Sequence, residues 1–304
     1  MLPVNAAAPS RRPLTVYAWA AMLVFSVLPD VLWNELVGGD ARWISLARLA
    51  ILAVLVAAGL LLPALRPAWK FPAVLLAITI AGLITARLGT APNLDGVLNW
   101  IELSQVRGLL TVQAAKFGVS ILTIVALLAL GYRRRDAFLT RGQIDAPAAP
   151  VRWLGFPTPE PWTSFGAKWV VFLSIGMVVV LAIFGRPSIR ALAGAVSFIP
   201  VVLFLSISNA FNEEVVYRSG VLAPIVGALG IRNSHLLNAA LFGIMHYYGV
   251  PYGVGGVILS TFSGWFLAKA MLETKGFFWS WLLHVVADTW IFYFILAGSI
   301  VPGG

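Results

Sequence analysis

The chain has 304 residues, 60% of them hydrophobic and only 11% charged. A soluble domain carries about 25% charged residues, so a soluble fold is excluded and the chain reads as a polytopic membrane protein, in keeping with a mean hydropathy of +0.90. Its net charge of +9 lies largely in short loops, which ties it to orientation in the bilayer rather than to nucleic acid, and the absence of cysteine excludes disulfides, thiol nucleophiles and cysteine-based metal sites.

In chain order, Arg11 and Arg12 precede an apolar run that imitates a signal peptide. No convincing cleavage site follows and many further spans do, so an uncleaved first helix is expected. Runs long enough to span lie at 14–33, 44–62, 72–88 and 109–130. Arg66 and Lys70 follow the second run, and Arg133, Arg134 and Arg135 follow the fourth. Placing both clusters in the cytoplasm with Arg11 and Arg12 predicts a cytoplasmic N-terminus. Gln113 and Lys116 fall inside the fourth run near its outer end, where a lysine is expected to snorkel to the membrane surface. Asp95 to Arg107 reads as an interfacial stretch on the outer side.

Residues 131–166 are polar and punctuated by Pro147, Pro150, Pro157, Pro159 and Pro161, which predicts a cytoplasmic connecting loop. The chain thus divides into a four-span region over 1–130, this loop, and a second membrane region over 167–304. Further apolar runs lie at about 167–184, 192–223, 236–248, 254–272 and 277–298. The run at 236–248 is short enough to be a partial or tilted span. Gly256, Ser260 and Gly264 recur every four residues, a small-residue stripe that predicts close helix packing. Lys269, Glu273 and Lys275 mark a polar turn before the last helix. The predicted fold is all-α, a polytopic transmembrane helix bundle of about 8–9 spans.

Polar residues inside the later runs carry the functional argument. Intramembrane ionisable groups are costly in hydrocarbon and mark functional sites by default. Glu213, Glu214 and Arg218 follow a long apolar run, with Asn209 and Tyr217 on the stripe of Glu213. On a helix Glu214 and Arg218 are i,i+4 neighbours, so Glu214 has a built-in counter-ion and Glu213 has none. Phe242 and His246 share a face on a second helix, the ring walling the imidazole. His284 and Asp288 share a face on a third. His235, beside Asn233 and Ser234 at a helix start, reads as a surface residue.

The ordered set Glu213-Glu214-x-x-x-Arg218, Phe242-x-x-x-His246 and His284-x-x-x-Asp288 resembles the three motifs of the CAAX-protease and bacteriocin-processing family of intramembrane endopeptidases. The resemblance covers roughly 167–295 and leaves 1–130 unmatched. It implies that Glu213 and His246 activate a water for attack on the scissile carbonyl, and that His284 and Asp288 stabilise the oxyanion. Arg218 would neutralise Glu214. Prenyl-protein proteases of the family typically carry Asn where this chain has Asp288. An ionised Asp only accepts hydrogen bonds, so Asp288 is expected to orient His284, which then donates.

The resemblance implies a protease acting on a membrane-associated protein or peptide. The lipid bilayer is its other partner, nucleic acid is none, and the chain is expected to span the cytoplasmic membrane of a bacterium. No cofactor is expected. In an alternative, a divalent metal such as zinc is held by Glu213, His246 and His284. In another, the chain is a transporter or a non-proteolytic immunity protein whose buried charges form a proton path or a structural network. A transporter would more often show repeated halves with broken helices in corresponding positions, and the sequence shows no repeat.

Overall fold

A computed structural model describes residues 12–89 and 104–298. The first run is broken into α1 (Arg12–Phe25) and α2 (Leu28–Leu36), bent by 57° where the sequence suggested one span. Pro29 opens α2, and the Ser26 hydroxyl donates to Leu23 O and accepts from the Leu28 N–H, which ends α1. Arg48 of α3 (Arg42–Leu61) fixes the bend, donating to Val24 O at 3.0 Å and Ser26 O at 3.1 Å while it pairs with Asp30. α4 (Lys70–Gly89) and α5 (Ser104–Ala129) complete the N-terminal helices. The interfacial stretch expected from Asp95 lies outside the described residues as far as Leu103.

Residues 131–166 pack onto the second half of the chain. They carry a two-residue antiparallel pair, β1 (Pro147–Ala148) with β2 (Glu160–Pro161). After α6 (Trp162–Gly185) come α7 (Ile189–Ala195), α8 (Ile199–Glu213), a π-helical turn over Glu214–Ser219, and α9 (Gly220–Leu229). α10 (Ile231–Met245), α11 (Val254–Thr274) and α12 (Phe278–Leu296) follow. Among the described residues, seven helical segments are long and apolar enough to span, or eight if the bent pair is one span. The number falls to the low end of expectation because the run at 236–248 belongs to α10, whose 15 residues are short for a span.

The polar turn between α11 and α12 anchors the connecting loop. Gln143 N–H donates to Thr274 O at 2.7 Å, Phe277 N–H to Thr140 O at 2.8 Å, and the Trp162 indole to Glu273 Oε2 at 2.9 Å. Lys269, 5% exposed, pairs with Glu273 and donates to Ala149 O. Trp162, Phe165, Trp169, Phe266 and Trp279 form an aromatic cluster against this loop. His235 belongs to the same end and is not a free surface residue: its ring stacks on Trp265 at 5.5 Å, and its Nε2 donates to the Trp265 carbonyl at 2.6 Å.

α10 and α11 approach closely because glycines line the contact. A Cβ on Gly243 would stand 1.9 Å from Thr261 Oγ1 and 2.7 Å from Val257 O, and one on Gly264 would stand 2.7 Å from Phe242 Cβ. The stripe at Gly256, Ser260 and Gly264 is thus partly a packing device, and it sets where Phe242 and His246 stand. Gly243→Ala should cost about 1–3 kcal/mol by overpacking, read as a lower thermal midpoint in detergent. Gly227→Ala on α9, where a Cβ meets nothing within 4 Å, should not destabilise.

Candidate active site

The site forms where three helices converge on the π-helical turn after α8. An α-helix places adjacent side chains about 100° apart. Here the extra residue in the turn carries the Gly220 N–H back to Val215 O, five residues earlier. The turn is held from outside by Asn238 of α10, whose amide donates to the Tyr217 carbonyl. Glu213 and Glu214 precede the extra residue on ordinary helical backbone and reach one imidazole from two sides. Glu214 Oε1 accepts from His284 Nδ1 at 2.8 Å, and Glu213 Oε2 stands 3.7 Å from His284 Nε2.

The remaining motif residues complete this centre. His246 Nδ1 lies 2.7 Å from Phe242 O, a carbonyl that can only accept, so Nδ1 carries the proton and Nε2 faces Glu213 Oε2 at 3.6 Å. Phe242 packs at 4.2 Å against His246 with the rings tilted, meets His284 edge-on at 5.8 Å and receives the Arg218 guanidinium at 4.0 Å. It walls both imidazoles. Tyr217 packs edge-on against the same ring.

Three expectations change. Arg218 does pair with Glu214, at 3.7 Å, but its nitrogens make no hydrogen bond among the described residues. Its charge is met by Glu214 and by the Phe242 ring. Glu214 is held instead by two donors from α12, Ser280 and His284. The anchor of His284 at Nδ1 is therefore Glu214 rather than Asp288, whose Oδ1 lies 3.7 Å from Nε2 on the opposite side of the ring. Asp288 Oδ2 accepts from Asn209 Nδ2 at 3.0 Å.

The third change concerns Lys116. Glu213 is not left without a counter-ion, because Lys116 turns inward and its Nζ reaches Glu213 Oε1 at 2.7 Å and Asn209 Oδ1 at 2.5 Å. Gln113 and Ser120 stand on the same face of α5 and bond Asn209 and Asn212. The signal was in the sequence: Gln113, Lys116 and Ser120 recur at i, i+3 and i+7, a polar stripe on an otherwise apolar helix. Gln113 and Lys116 read from the sequence only as polar residues near the end of a span, and Ser120 and Asn212 were not among the expected site residues.

Glu213 Oε2 is buried and has no hydrogen-bond partner among the described residues. Glu213 borders one cavity, and His246 and His284 border another. One, of about 310 Å³, lies toward the N-terminal helices and is lined by Arg48, Thr79, Lys116, Glu213 and Tyr217. The other, of about 280 Å³, is lined by Trp169, Phe262, His246, His284 and Asp288 among mostly apolar neighbours. The arrangement sets two imidazole nitrogens within 3.7 Å of one carboxylate oxygen, beside an apolar recess.

Breaking a buried ion pair by removing one partner costs about 3–5 kcal/mol. Arg218→Ala should accordingly lower the thermal midpoint and the yield of folded protein in detergent. An unchanged midpoint would mean that Ser280 and His284 alone suffice for Glu214.

Neither a curated protein nor a solved structure matches the chain significantly. Residues 195–290 match the family model described as type II CAAX prenyl endopeptidase Rce1-like. The matched stretch contains all three motifs, which supports the resemblance of this multi-pass membrane protein to the CAAX-protease and bacteriocin-processing family of intramembrane endopeptidases.

Proposed function

We propose that the chain hydrolyses a peptide bond of a membrane-associated protein or peptide with a water activated by Glu213 and His246. The observation that carries this reading is the unpartnered Glu213 Oε2, facing His246 Nε2 at 3.6 Å and His284 Nε2 at 3.7 Å. Groups so spaced can share a water lying to one side of both, which donates one proton to the carboxylate and the other to the imidazole. Attack on the scissile carbonyl passes a proton to this pair, which returns it to the leaving amine. Three carboxylates, Glu213, Glu214 and Asp288, face two fixed cations, Lys116 and Arg218, so a protonated His284 brings the buried set to neutrality. That imidazolium is anchored at Nδ1 by Glu214 and supplies its Nε2–H to the developing oxyanion. The apolar recess beside His246 and His284 receives the substrate.

The reaction is proposed to be metal-free. Among the described residues no group of three or more His, Asp or Glu has the arrangement of a metal site. An ammonium 2.7 Å from Glu213 also opposes a dication at the same carboxylate. Glu213→Gln should abolish the neo-N-termini that expression of the wild type generates in membrane proteins, while the variant stays inserted and folded. Chelator should leave turnover by the purified wild type unchanged. Neo-termini that persist in Glu213→Gln would sink the base assignment, and chelator-sensitive turnover restored by zinc would sink the metal-free scheme.

The proposed membrane is the bacterial cytoplasmic one, with the N-terminus in the cytoplasm. The support is the basic clusters at Arg66 and Lys70 and at Arg133, Arg134 and Arg135, which flank α4 and α5 on one side. A reporter fused at residue 140 should read cytoplasmic, and an extracytoplasmic signal there would reverse the orientation.

A further inference from the structure

We infer that Lys116 is a positioning residue for Glu213, supplied to the site by a helix that lies outside the family-matched stretch. The inference rests on the endopeptidase reading above and adds to it the device that presents the base. Glu213 uses its two carboxylate oxygens differently. Oε1 accepts from Lys116 Nζ at 2.7 Å and from Asn209 Nδ2 at 3.1 Å, whereas Oε2 accepts from nothing described and faces both histidines. Two donors on one oxygen fix the torsion of the carboxylate, so the other oxygen is aimed rather than free to turn.

The lysine is itself held. Its Nζ also reaches Asn209 Oδ1 at 2.5 Å, and Gln113 Nε2 donates to that same oxygen at 3.2 Å. Ser120 Oγ donates to Asn212 Oδ1 at 2.8 Å one turn further along. Gln113, Asn209, Asn212 and Ser120 are all buried. A lysine that only snorkelled would carry its ammonium toward the membrane surface. This one turns toward a buried carboxylate, and its side chain, 37% exposed, borders the cavity of about 310 Å³ on the N-terminal side. Reagents of a few atoms can reach it there.

The chain has no cysteine, so Lys116→Cys introduces a unique thiol. Alkylation with 2-bromoethylamine restores an ammonium at the reach of lysine, and 1-iodopropane adds a neutral group of the same shape. The substrate is a synthetic peptide spanning the strongest Glu213-dependent cleavage site found by terminus mapping. Lys116→Cys should lower kcat by about 100-fold with little change in KM, the scale of misplacing a reacting group by an ångström. Aminoethylation should recover most of the loss and propylation none of it. A merely structural bridge would respond to both alkylations alike or shift the thermal midpoint without this split.

Wild-type kcat in Lys116→Cys, or equal rescue by the two reagents, would overturn the inference. Should that variant fail to fold, Lys116→Gln keeps a donor without the charge. Wild-type kcat in folded Lys116→Gln would overturn the role, and reduced kcat at unchanged KM would support it. If no Glu213-dependent termini exist, the endopeptidase reading falls and this inference with it. If Glu213→Gln is inactive while Lys116→Cys turns over normally, the role of Lys116 alone falls.

Discussion

A carboxylate buried among apolar helices with only one of its oxygens satisfied is the constraint on which the rest of this structure depends. An ionised carboxylate in hydrocarbon must be paired, because its desolvation costs several kcal/mol or more. For the proposed water to be held, one oxygen must also stay unpaired. Glu213 meets both demands by dividing its oxygens, with Lys116 and Asn209 on Oε1 and the two histidines around Oε2. The position of α5 against α8 follows from this, since no residue of the matched stretch supplies the ammonium.

The second glutamate solves a different problem. Glu214 holds the Nδ1 side of His284 and Glu213 faces its Nε2 side, so neighbouring residues in sequence address opposite nitrogens of one ring. Arg218 stays one turn away, close enough to offset the charge of Glu214 but not to hydrogen-bond it. Phe242 joins the two functions, since one face of the problem is the guanidinium and the other is the pair of imidazoles. Gly243 and Gly264 let its helix close on α11, which makes backbone packing a determinant of where the imidazoles stand.

Much of the site was legible because charge in an apolar run is costly and therefore conspicuous. Glu213, Glu214, Arg218, His246, His284 and Asp288 all converge, and they stood out one by one against hydrophobic neighbours. The class of fold followed from run lengths alone. What escaped was rotational: a lysine near the end of a span reads the same whether it snorkels or turns inward. The stripe formed with Gln113 and Ser120 distinguished the two cases, but only when the helix was viewed end-on. The π-helical turn was equally hidden. Reading Glu213 and Glu214 on an ideal helix set them on different faces and assigned Arg218 the whole charge of Glu214. The bend between α1 and α2 was marked by Ser26 and Pro29 inside a run read only for its hydropathy.

Asp288 and Lys116 belong to one account, and Asn209 connects them. Asn209 gives its amide N–H groups to Glu213 Oε1 and Asp288 Oδ2 and takes Lys116 and Gln113 on its carbonyl. An asparagine at 288 could accept the same bond through its own carbonyl, so the hydrogen bond alone gives no reason for an acid there. The difference between the two is a full negative charge, placed within a few ångströms of Glu213 and His284. Such a charge is tolerable in a low-dielectric site only if a positive one stands nearby. Lys116 provides it, and the protonated His284 of the proposed mechanism would add to it. The acid in the third motif and the lysine on α5 are thus two ends of one electrostatic arrangement, and helices on both sides of residues 131–166 contribute side chains to the candidate site.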